Sequence, residues 1–390
     1  MARLVDLAKR LAPELAAAAP GDDALRRLSD ATWKQLVESR ILRALQPARF
    51  GGGEAPFPEF VDAALELARA SASAGWVAGV IGVHPWQVAL FPEEAQQELW
   101  GRDPSALPSS SYNPTGKAVK VAGGWELSGR WSFSSGCDHA RGVVLGAAAG
   151  ARELPGGGSA PDLRSFLLLA GQYEIDDNWH VAGLRATGSK DIVVTGAFVP
   201  EHRTQSHLDY QLGAPLPGQV KNDGPLYRMP FTVVFNMALA SATLGSARGF
   251  LDHWVEHSKP RFSMLTGRVA DDPFMQRRLA EATWDLDAAV TLLRADAAEL
   301  WERALASQPA GPELRARMRW NMNRGCEVVG RAVSELFHSA SGRSVFLKEP
   351  LQRRFQDVHA ALAHAFLASD TAAKAVGGAV LGTSKPEVVM

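Results

Sequence analysis

The periodicity of the hydrophobic residues changes twice along this chain of 390 residues. From about Ala106 to Pro200 apolar and polar residues alternate, which is typical of half-buried strands. On both sides, apolar residues recur at intervals of three and four, which is typical of amphipathic helices. We therefore predict an α+β chain with a helical domain over 1–104, a β-barrel-like domain over 105–205 and a helical bundle domain over 206–390.

The predicted strands are separated by turn residues. Gly123-Gly124 suits a hairpin turn, Gly129 interrupts the strand that follows, and the Gly/Pro-rich segment from Leu154 to Pro161 is expected to be a surface loop. The strands predicted from the alternation are 118–121, 125–129, 142–147, 164–169 and 191–198.

The helical pattern before the β part predicts buried helices. A first helix has leucines at 4, 7, 11 and 15, and a second is expected after Gly21, with Asp22 or Asp23 as its N-cap. The stretch from Phe57 to Leu99 is apolar on all sides in its middle, which indicates burial, and Pro85 is expected to end or kink it.

The pattern after the β part predicts a four-helix bundle that also packs against other subunits. Asp271 or Asp272 before Pro273 is expected to start one long helix, and a final helix is expected from about Pro350 to beyond His364. Cys326 lies in an apolar stripe and is expected to be an inert, packed thiol.

The charge and cysteine content exclude several classes of protein. A net charge of −1 gives no attraction to nucleic acid or anionic lipid, and the longest apolar run is far shorter than the roughly 20 residues of a membrane span. The first residues do not form a secretory signal. Cys137 and Cys326 are too few for a disulfide framework or a zinc site. We expect a cytoplasmic protein without a metal.

Trp125 to Ala140, WELSGRWSFSSGCDHA, is the stretch best suited to bind a ligand. Its aromatic residues, serines and glycine could give an apolar surface and hydrogen bonds to a flat, partly polar ring system. They also suit an ordinary aromatic-rich strand that ends in a serine turn. His84, in the buried helical stretch, is likewise either a satisfied core residue or a catalytic base, whose ordinary pKa near 6.5 would suit proton transfer near neutral pH.

Other candidate motifs lack the required spacing. GLRATGSKD resembles a phosphate-binding loop, but Ser189 stands before Lys190, so we exclude nucleoside triphosphate binding. No GxGxxG follows a strand, so no nicotinamide site is expected. His202 and His207 have no acidic or cysteine partner at ligand spacing, and the polar segment around them is expected to be mobile and near the active site.

WSFSSGCDHA, with GVHPW before it and GLRATGSKD after it, resembles the flavin-dependent monooxygenases built on the acyl-CoA dehydrogenase fold. The resemblance is to the oxygenase components of two-component hydroxylases of 4-hydroxyphenylacetate and hydroxylated steroids, and it extends from about Ser73 to His364. It implies an N-terminal helical domain, a middle β domain, a C-terminal four-helix bundle and a homotetramer.

The resemblance also implies the chemistry. A separate NAD(P)H:flavin reductase would supply reduced flavin, FMNH2 or FADH2. The reduced flavin would react with O2 to give a C4a-hydroperoxyflavin, which would then hydroxylate a small aromatic substrate. Such a reaction needs an apolar cavity that excludes water, hydrogen bonds near the flavin N5, and help in removing the phenol proton.

The site residues implied by the resemblance form two groups. Those for the flavin are Phe133, Ser134, Ser135 (nearest N5), Thr187, Gly188, Ser189, the phosphate-binding Arg261, and the turn Ser341, Gly342 and Arg343, which could reach a neighbouring subunit's flavin. Those for catalysis are His84 and Ser110, which would hold the phenol oxygen, with Ser135 and His364 beside the flavin.

Departures from the family pattern leave the substrate open. Asn113 and Thr115 in SSSYNPTG, and Phe366, differ from the phenol hydroxylases. A larger polycyclic or natural-product aromatic, hydroxylated at carbon or nitrogen, is therefore as compatible as a phenylacetate. An alternative function is that of an acyl-CoA dehydrogenase, for which the last long helix offers only Asp357 as a carboxylate base. A non-catalytic helical scaffold is the third alternative.

Overall fold

The computed structural model describes residues 3–154, 157–264 and 267–383. Along the chain, helices come before and after the strands of a central sheet. This order confirms the predicted α+β, acyl-CoA dehydrogenase-like fold. The exact domain limits stay a prediction. The helices are α1 (Leu4–Leu25), α2 (Asp30–Glu38), α3 (Phe57–Ala70), α4 (Ala72–Val88), α5 (Glu93–Trp100), α6 (His207–Leu212), α7 (Phe231–Ser258), α8 (Pro273–Leu305), α9 (Pro312–His338), α10 (Pro350–Leu362) and α11 (Ser369–Val380).

Among the described residues, seven strands form one sheet in the order β5-β6-β2-β1-β3-β4-β7, in which only β1 and β3 pair in parallel. As described, β5 and β7 are its open edges rather than the joined edges of a barrel. The strands are β1 (Pro108–Val121), β2 (Gly124–Ser134), β3 (Gly142–Glu153), β4 (Ser159–Leu169), β5 (Glu174–Asp176), β6 (Lys190–Pro200) and β7 (Thr204–Ser206). A separate pair is formed by β8 (Phe262–Ser263) and β9 (Gly267–Arg268).

The strands are longer than the alternation predicted. β2 does not stop at Gly129 but continues to Ser134, with its register to β6 shifted on both sides of Trp131. β1 begins at Pro108, so SSSYNP belongs to a strand that the alternation placed only from residue 118. The alternation misses this part because Ser109 to Ser111 are polar and yet buried. Both extensions bring polar residues of adjacent strands to the same end of the sheet.

Helix α7 lies at the centre of the helical parts. It packs against α3 and α4 on one side and against α8, α9 and α10 on the other. Its apolar residues are therefore buried on every side, as are those of α4, which also contacts β1. The bundle predicted from the apolar stripes is thus present, and α4 links it to the sheet by packing against both α7 and β1.

Two N-terminal boundaries were predicted wrongly. α1 continues through Gly21 to Leu25, and Asp22 is not an N-cap at a helix start: its carboxylate accepts hydrogen bonds from Ser29 N and Thr32 Oγ1 at 2.9 and 2.8 Å. Ser29 caps α2 instead. The helical stretch from Phe57 consists of three helices, α3, α4 and α5. Pro85 lies inside α4, but only the last turn of that helix, up to Val88, follows it.

The C-terminal predictions were partly right. Asp272 caps α8 through Phe274 N, and α10 begins at Pro350 as expected. However, α10 ends at Leu362, so His364 is not on this helix but caps the short 3-10 turn that precedes α11. Cys326 is a buried free thiol whose pKa is raised by burial to about 12, as expected of an inert packed residue. Within the described ranges, no helix is long and apolar enough to cross a membrane.

Candidate active site

A cavity of about 1480 Å³ lies where the sheet, α4, α7 and the last helices meet. Its inner walls come from β1, β2, α4 and α7, and its outer part is lined by α6, the start of α9 and α11. The volume exceeds the roughly 300–1,000 Å³ of a usual small-molecule pocket. The cavity therefore has room for more than one ring system.

A cluster of side-chain hydroxyls lies at one inner wall. Ser135 Oγ accepts a hydrogen bond from Trp76 Nε1 at 3.1 Å and lies 2.8 Å from Ser189 Oγ. Ser189 Oγ is in turn 2.6 Å from Thr187 Oγ1, which donates to the Leu184 carbonyl at 2.9 Å. Ser135, Ser189 and Trp76 line the cavity, whereas Thr187 is buried behind them. The ends of two adjacent strands thus supply one connected group of donors and acceptors.

Phe133 is held in a strained conformation beside this cluster. Its φ of 69° is in the left-handed region, which a bulky side chain rarely adopts. The conformation turns the ring outward, so that 69% of it is exposed, and it meets Trp179 edge-on at 6.1 Å. Both rings line the cavity. Ser134 faces the other way and donates to Ser109 Oγ at 3.0 Å in the interior.

A buried ion pair fixes the turn that follows this strand. Lys190 Nζ lies 2.7 Å from Asp138 Oδ1 and 3.2 Å from Asp177 Oδ2. Burial lowers the pKa of Lys190, but the two carboxylates raise it by more. Gly188, at a φ of 52°, must be small because a Cβ there would lie 2.7 Å from Asp138 Oδ2. The pair therefore joins the two motifs that carry Ser135 and Ser189.

A second wall is aromatic and centred on Phe231. Tyr210 stacks on Phe231 with centroids 4.5 Å apart, Phe235 lies 4.5 Å away on the next helical turn, and Tyr112 meets both rings edge-on. His207 meets Phe231 at 5.4 Å. All five side chains line the cavity. This wall offers flat apolar surface with hydroxyl and imidazole groups at its edge.

His84 lies behind this wall rather than on the cavity surface. Its ring is fully buried, 5.5 Å from Phe235, and its Nδ1 is a long 3.4 Å from Tyr112 Oη. Because Tyr112 donates its hydroxyl proton to Gln87 Oε1, it can only accept at His84, so we assign the ring proton to Nδ1. Nε2 then carries a lone pair, and in the described part of the chain nothing bonds to it. Burial lowers the pKa of His84 to about 3.

Hydrogen bonds through Ser165 also connect Gln87 to His207, which lines the cavity. Gln87 Nε2 donates to Ser165 Oγ at 3.3 Å, and Ser165 Oγ is 2.8 Å from His207 Nε2. Burial lowers the pKa of His207 to about 4. His207 was considered only as a metal ligand from the sequence. His202 lies elsewhere, 2.9 Å from Glu98, and no cluster of potential metal ligands occurs among the described residues.

His364 reaches the cavity from the turn after α10. Its Nδ1 accepts a hydrogen bond from Phe366 N at 3.1 Å, and its ring lies 5.7 Å from Trp76. Burial lowers the pKa of His364 to about 4. Trp76 also donates to Ser135, so this indole connects the predicted residues Ser135 and His364 through one side chain.

Eight predicted residues do not line the cavity. Arg261 lies in the turn after α7, with Nη1 buried and without a bonding partner in the described segments. Ser341 and Gly342 begin the turn after α9, and Arg343 pairs with Glu349 at 3.2 Å. Ser110 does line the cavity. The chain thus brings together Ser110, Phe133, Ser135, Ser189 and His364, with Ser134, Thr187, Gly188 and His84 behind them.

Comparison with known proteins identifies the family. The family profile of the acyl-CoA dehydrogenase C-terminal domain matches residues 237–369. The flavin-dependent monooxygenase oxygenase subunit HsaA of Rhodococcus jostii strain RHA1 is 38% identical over 360 residues, which are 91% of this chain and 92% of HsaA. The chain belongs to the oxygenase components of two-component flavin-dependent monooxygenases.

Two further relatives agree with this. The oxygenase component of p-hydroxyphenylacetate 3-hydroxylase of Acinetobacter baumannii is 30% identical and covers 97% of this chain and 89% of its own. The crystal structure of the 3-HSA hydroxylase of Rhodococcus sp. RHA1 superposes with a TM-score of 0.91 at 35% identity, over 98% of each chain. Members of this family use reduced flavin and O2 and, as oxygenase components, depend on a separate reductase.

The cavity of this monooxygenase fits a flavin ring. The exposed Phe133 and the partly exposed Trp179 offer apolar surface for a flat ring system, and the connected hydroxyls of Ser135 and Ser189 can accept hydrogen bonds from its ring N–H groups. The hydroxyls lie against apolar walls, where hydrogen bonds are strong because water is excluded. The residues present therefore fit the group that the family uses.

The same cavity does not fit an acyl-CoA dehydrogenase. Asp357, the only candidate base on the last long helix, is buried away from the cavity and accepts a hydrogen bond from Leu184 N at 2.7 Å. Burial, and then the nearby Asp23, raise the pKa of Asp357 to about 7. The only carboxylate among the described lining residues is Glu313, at the exposed start of α9. No described carboxylate is thus placed to remove a proton from a thioester in the inner cavity.

Several residues of the site were not assigned from the sequence. Trp76, Tyr112, Gln87 and Lys190 all lie in or beside the motifs that were recognised, but each looked like an ordinary core or strand residue. The aromatic wall of α6 and α7 was also missed, because apolar residues in a helix give the same pattern whether they face the core or a cavity. For Lys190, the one available signal was the acidic Asp138 of CDHA, which lies 52 residues earlier in the chain.

Proposed function

We propose that this monooxygenase hydroxylates a phenolic or polycyclic aromatic substrate, with FMNH2 or FADH2 supplied by a separate NAD(P)H:flavin reductase. The observation that supports this most is that one cavity contains both the hydroxyl cluster of Ser135 and Ser189 and the aromatic wall around Phe231. Two flat molecules could lie against these walls, as the transfer of an oxygen atom from one to the other requires.

The flavin end is proposed to be organised by Ser135. When bound, the reduced flavin supplies, with O2, the oxygen atom that enters the aromatic ring. The Ser135 hydroxyl donates to Ser189 and accepts from Trp76, so its remaining lone pair can accept a hydrogen bond from the N5 region of reduced flavin, while Phe133 and Trp179 keep water from the ring. Gly188 and Thr187 position Ser189, and Ser134 anchors the strand to Ser109.

The substrate end is proposed to be organised by Ser110 and His84. Ser110 lines the cavity beside Tyr112, and a rearrangement of the wall in front of His84, which contains Tyr112 and Phe235, would give a phenol hydroxyl access to the unpartnered Nε2 of His84. A buried acceptor without a partner is costly, so a phenol that donates to it gains a hydrogen bond that water cannot supply. This interaction would orient the ring and increase its electron density.

The remaining roles are proposed at the protomer interface. Arg261, Ser341, Gly342 and Arg343 would bind the flavin phosphate of a neighbouring subunit in a homotetramer. Large apolar side chains on the outer face of α8 support such an assembly, since Phe274 and Trp284 are 72% and 71% exposed. We place the protein in the cytoplasm, with no nucleic acid or membrane partner, because both cysteines are free thiols and the net charge is near zero.

The test is a reconstitution with defined components. The purified chain alone should not oxidise NADH, because its sequence has no GxGxxG motif after a strand, whereas a separate flavin reductase with free flavin should restore hydroxylation of a panel of phenols. Product and H2O2 are measured together by chromatography and a peroxidase assay. NADH oxidation by the chain alone, or reductase-dependent turnover that yields only H2O2 with every phenol, would contradict the proposal.

A further inference from the structure

The outer part of the cavity differs in charge from its inner walls. It is formed by the first turns of α9 and by α11, and its ionisable side chains are Arg315, Arg319, Lys374 and the single acid Glu313. The inner walls are aromatic and hydroxylated. A molecule that fills the cavity from the aromatic wall outward therefore passes from an apolar to a cationic surface.

Arg315 lies directly beside the aromatic wall. Its Nη1 and Nη2 both point at the backbone carbonyl of Gln211, at 3.4 Å each. Gln211 follows Tyr210, which stacks on Phe231. A substituent on a ring that lies against this wall is thus within reach of the Arg315 guanidinium.

The guanidinium of Arg315 has no counterion among the described residues. Its two contacts with the Gln211 carbonyl are long, and no carboxylate of the described ranges forms an ion pair with it. Arg164, which also lines the cavity, is by contrast paired with Asp162 at 2.8 Å and with Glu201 at 2.9 Å. Arg315 is half-buried, and burial lowers its pKa. A desolvated cation without an anion is unfavourable, and a planar guanidinium is best satisfied by a carboxylate that accepts two parallel hydrogen bonds.

We propose that Arg315 selects aromatic substrates that carry a carboxylate on a side chain of the ring. This inference rests on the proposed function, because it assigns the ring to the wall around Phe231, and it adds the residue that determines specificity. Arg319 and Lys374 would add positive potential at the same end without contacting the carboxylate. A neutral substrate would leave the Arg315 guanidinium desolvated and without an anion. The protein would therefore distinguish acids from neutral substrates of the same shape by their charge alone.

The test compares matched pairs of ligands by calorimetric titration of the flavin-free protein. The probes are para-hydroxyphenyl acids with side chains of acetate, propionate and butyrate length, each with its uncharged amide. At least one acid should bind roughly 10- to 100-fold more tightly than its amide, the usual effect of a charge-assisted hydrogen bond. Arg315→Gln should remove this preference, and Arg315→Lys should restore part of it.

Arg324→Gln is the matched control, because Arg324 lies on the same helix, pairs with Glu327 and does not line the cavity. It should leave the ratio of acid to amide affinity unchanged. If no acid is preferred over its amide, or if Arg315→Gln leaves the preference intact, the inference is wrong. Reconstituted hydroxylation of neutral phenols would still support the proposed function in that case, whereas peroxide as the only product would count against the proposed function alone.

Discussion

Replacement of His84 by phenylalanine should reduce product formation by roughly 5- to 150-fold while flavin oxidation continues. The ring of His84 packs against Phe235 in a fully buried position, so a phenyl ring of similar size should be accommodated. What the substitution removes is the lone pair on Nε2, the group proposed to accept a hydrogen bond from the phenol. The flavin that is oxidised without product should appear as H2O2.

The magnitude follows from the burial of the ring. A phenol has an ordinary pKa of about 10, and the pKa of His84 is lowered to about 3, so complete proton transfer would be uphill by roughly 10 kcal/mol. A general base contributes only about 10²–10⁴-fold, or roughly 3–5 kcal/mol. His84 is thus too weak a base for the transfer that an ordinary pKa of 6.5 would allow. It can still accept a hydrogen bond, and a lost or unsatisfied one costs about 1–3 kcal/mol.

The assay measures product, H2O2 and flavin oxidation together, with reduced flavin supplied directly, as a function of pH. His84→Asn, which keeps a hydrogen-bonding group, should retain more product than His84→Phe. Since His84 stays neutral down to about pH 3, the parent protein should show no loss of activity near pH 6.5 that depends on this residue. Such a loss, if His84→Phe abolished it, would refute the hydrogen-bond argument. An equal ratio of product to oxidised flavin in the parent and both variants would show that His84 is only a core residue.

Three further predictions concern the flavin end and the stability. Ser135→Ala removes the partner of Trp76 and Ser189 and should increase H2O2 per flavin oxidised with little change in flavin affinity; a peroxide yield equal to that of the parent would mean that the hydroxyl is only structural. Arg261→Ala should weaken binding of reduced flavin by about 1.5–3 kcal/mol but leave riboflavin, which lacks the phosphate, unaffected in fluorescence titrations; equal losses for both would place the phosphate elsewhere. Burial lowers the pKa of His207 to about 4, so this ring is neutral when folded and gains a proton on unfolding below about pH 6.5. The free energy of unfolding should therefore fall as the pH falls from about 7.5 to 5.5, and in urea titrations His207→Gln should reduce that fall by about 1.4 kcal/mol; an unchanged pH dependence would contradict the burial of His207.

The fold class was predictable because it depends on hydrophobic periodicity, which is a local property of the chain. The start of α8 at Asp272 and of α10 at Pro350 follow from capping chemistry within a few residues. The predictions that failed depended on hydrogen-bond partners outside the helical turn in which each residue lies. Asp22 looked like an N-cap at a helix start, but its carboxylate is committed to Ser29 and Thr32 after the helix.

For the candidate site, too, local motifs were predictable from the sequence and contacts between distant residues were not. The residue types in WSFSSG and GLRATGSKD, with the family resemblance, indicated a flavin-binding region, since each motif is a short continuous strand end. The sequence could not show that Ser135 and Ser189 share one hydrogen bond, because 54 residues separate them along the chain and only the pairing of β2 with β6 brings them together.

Only the tertiary structure decided the environments of the ionisable groups. His84 and Arg315 have ordinary side-chain chemistry in the sequence. Packing against Phe235 removes water from His84 and lowers its pKa to about 3. A position beside Gln211 leaves Arg315 half-buried and without a counterion in the described part of the chain. The sequence by itself thus determined the helices, most strands and the class of chemistry, because these depend on neighbours along the chain. Burial, charge balance and hydrogen-bond partners depend on neighbours in space, and for that reason only the folded protein determined them.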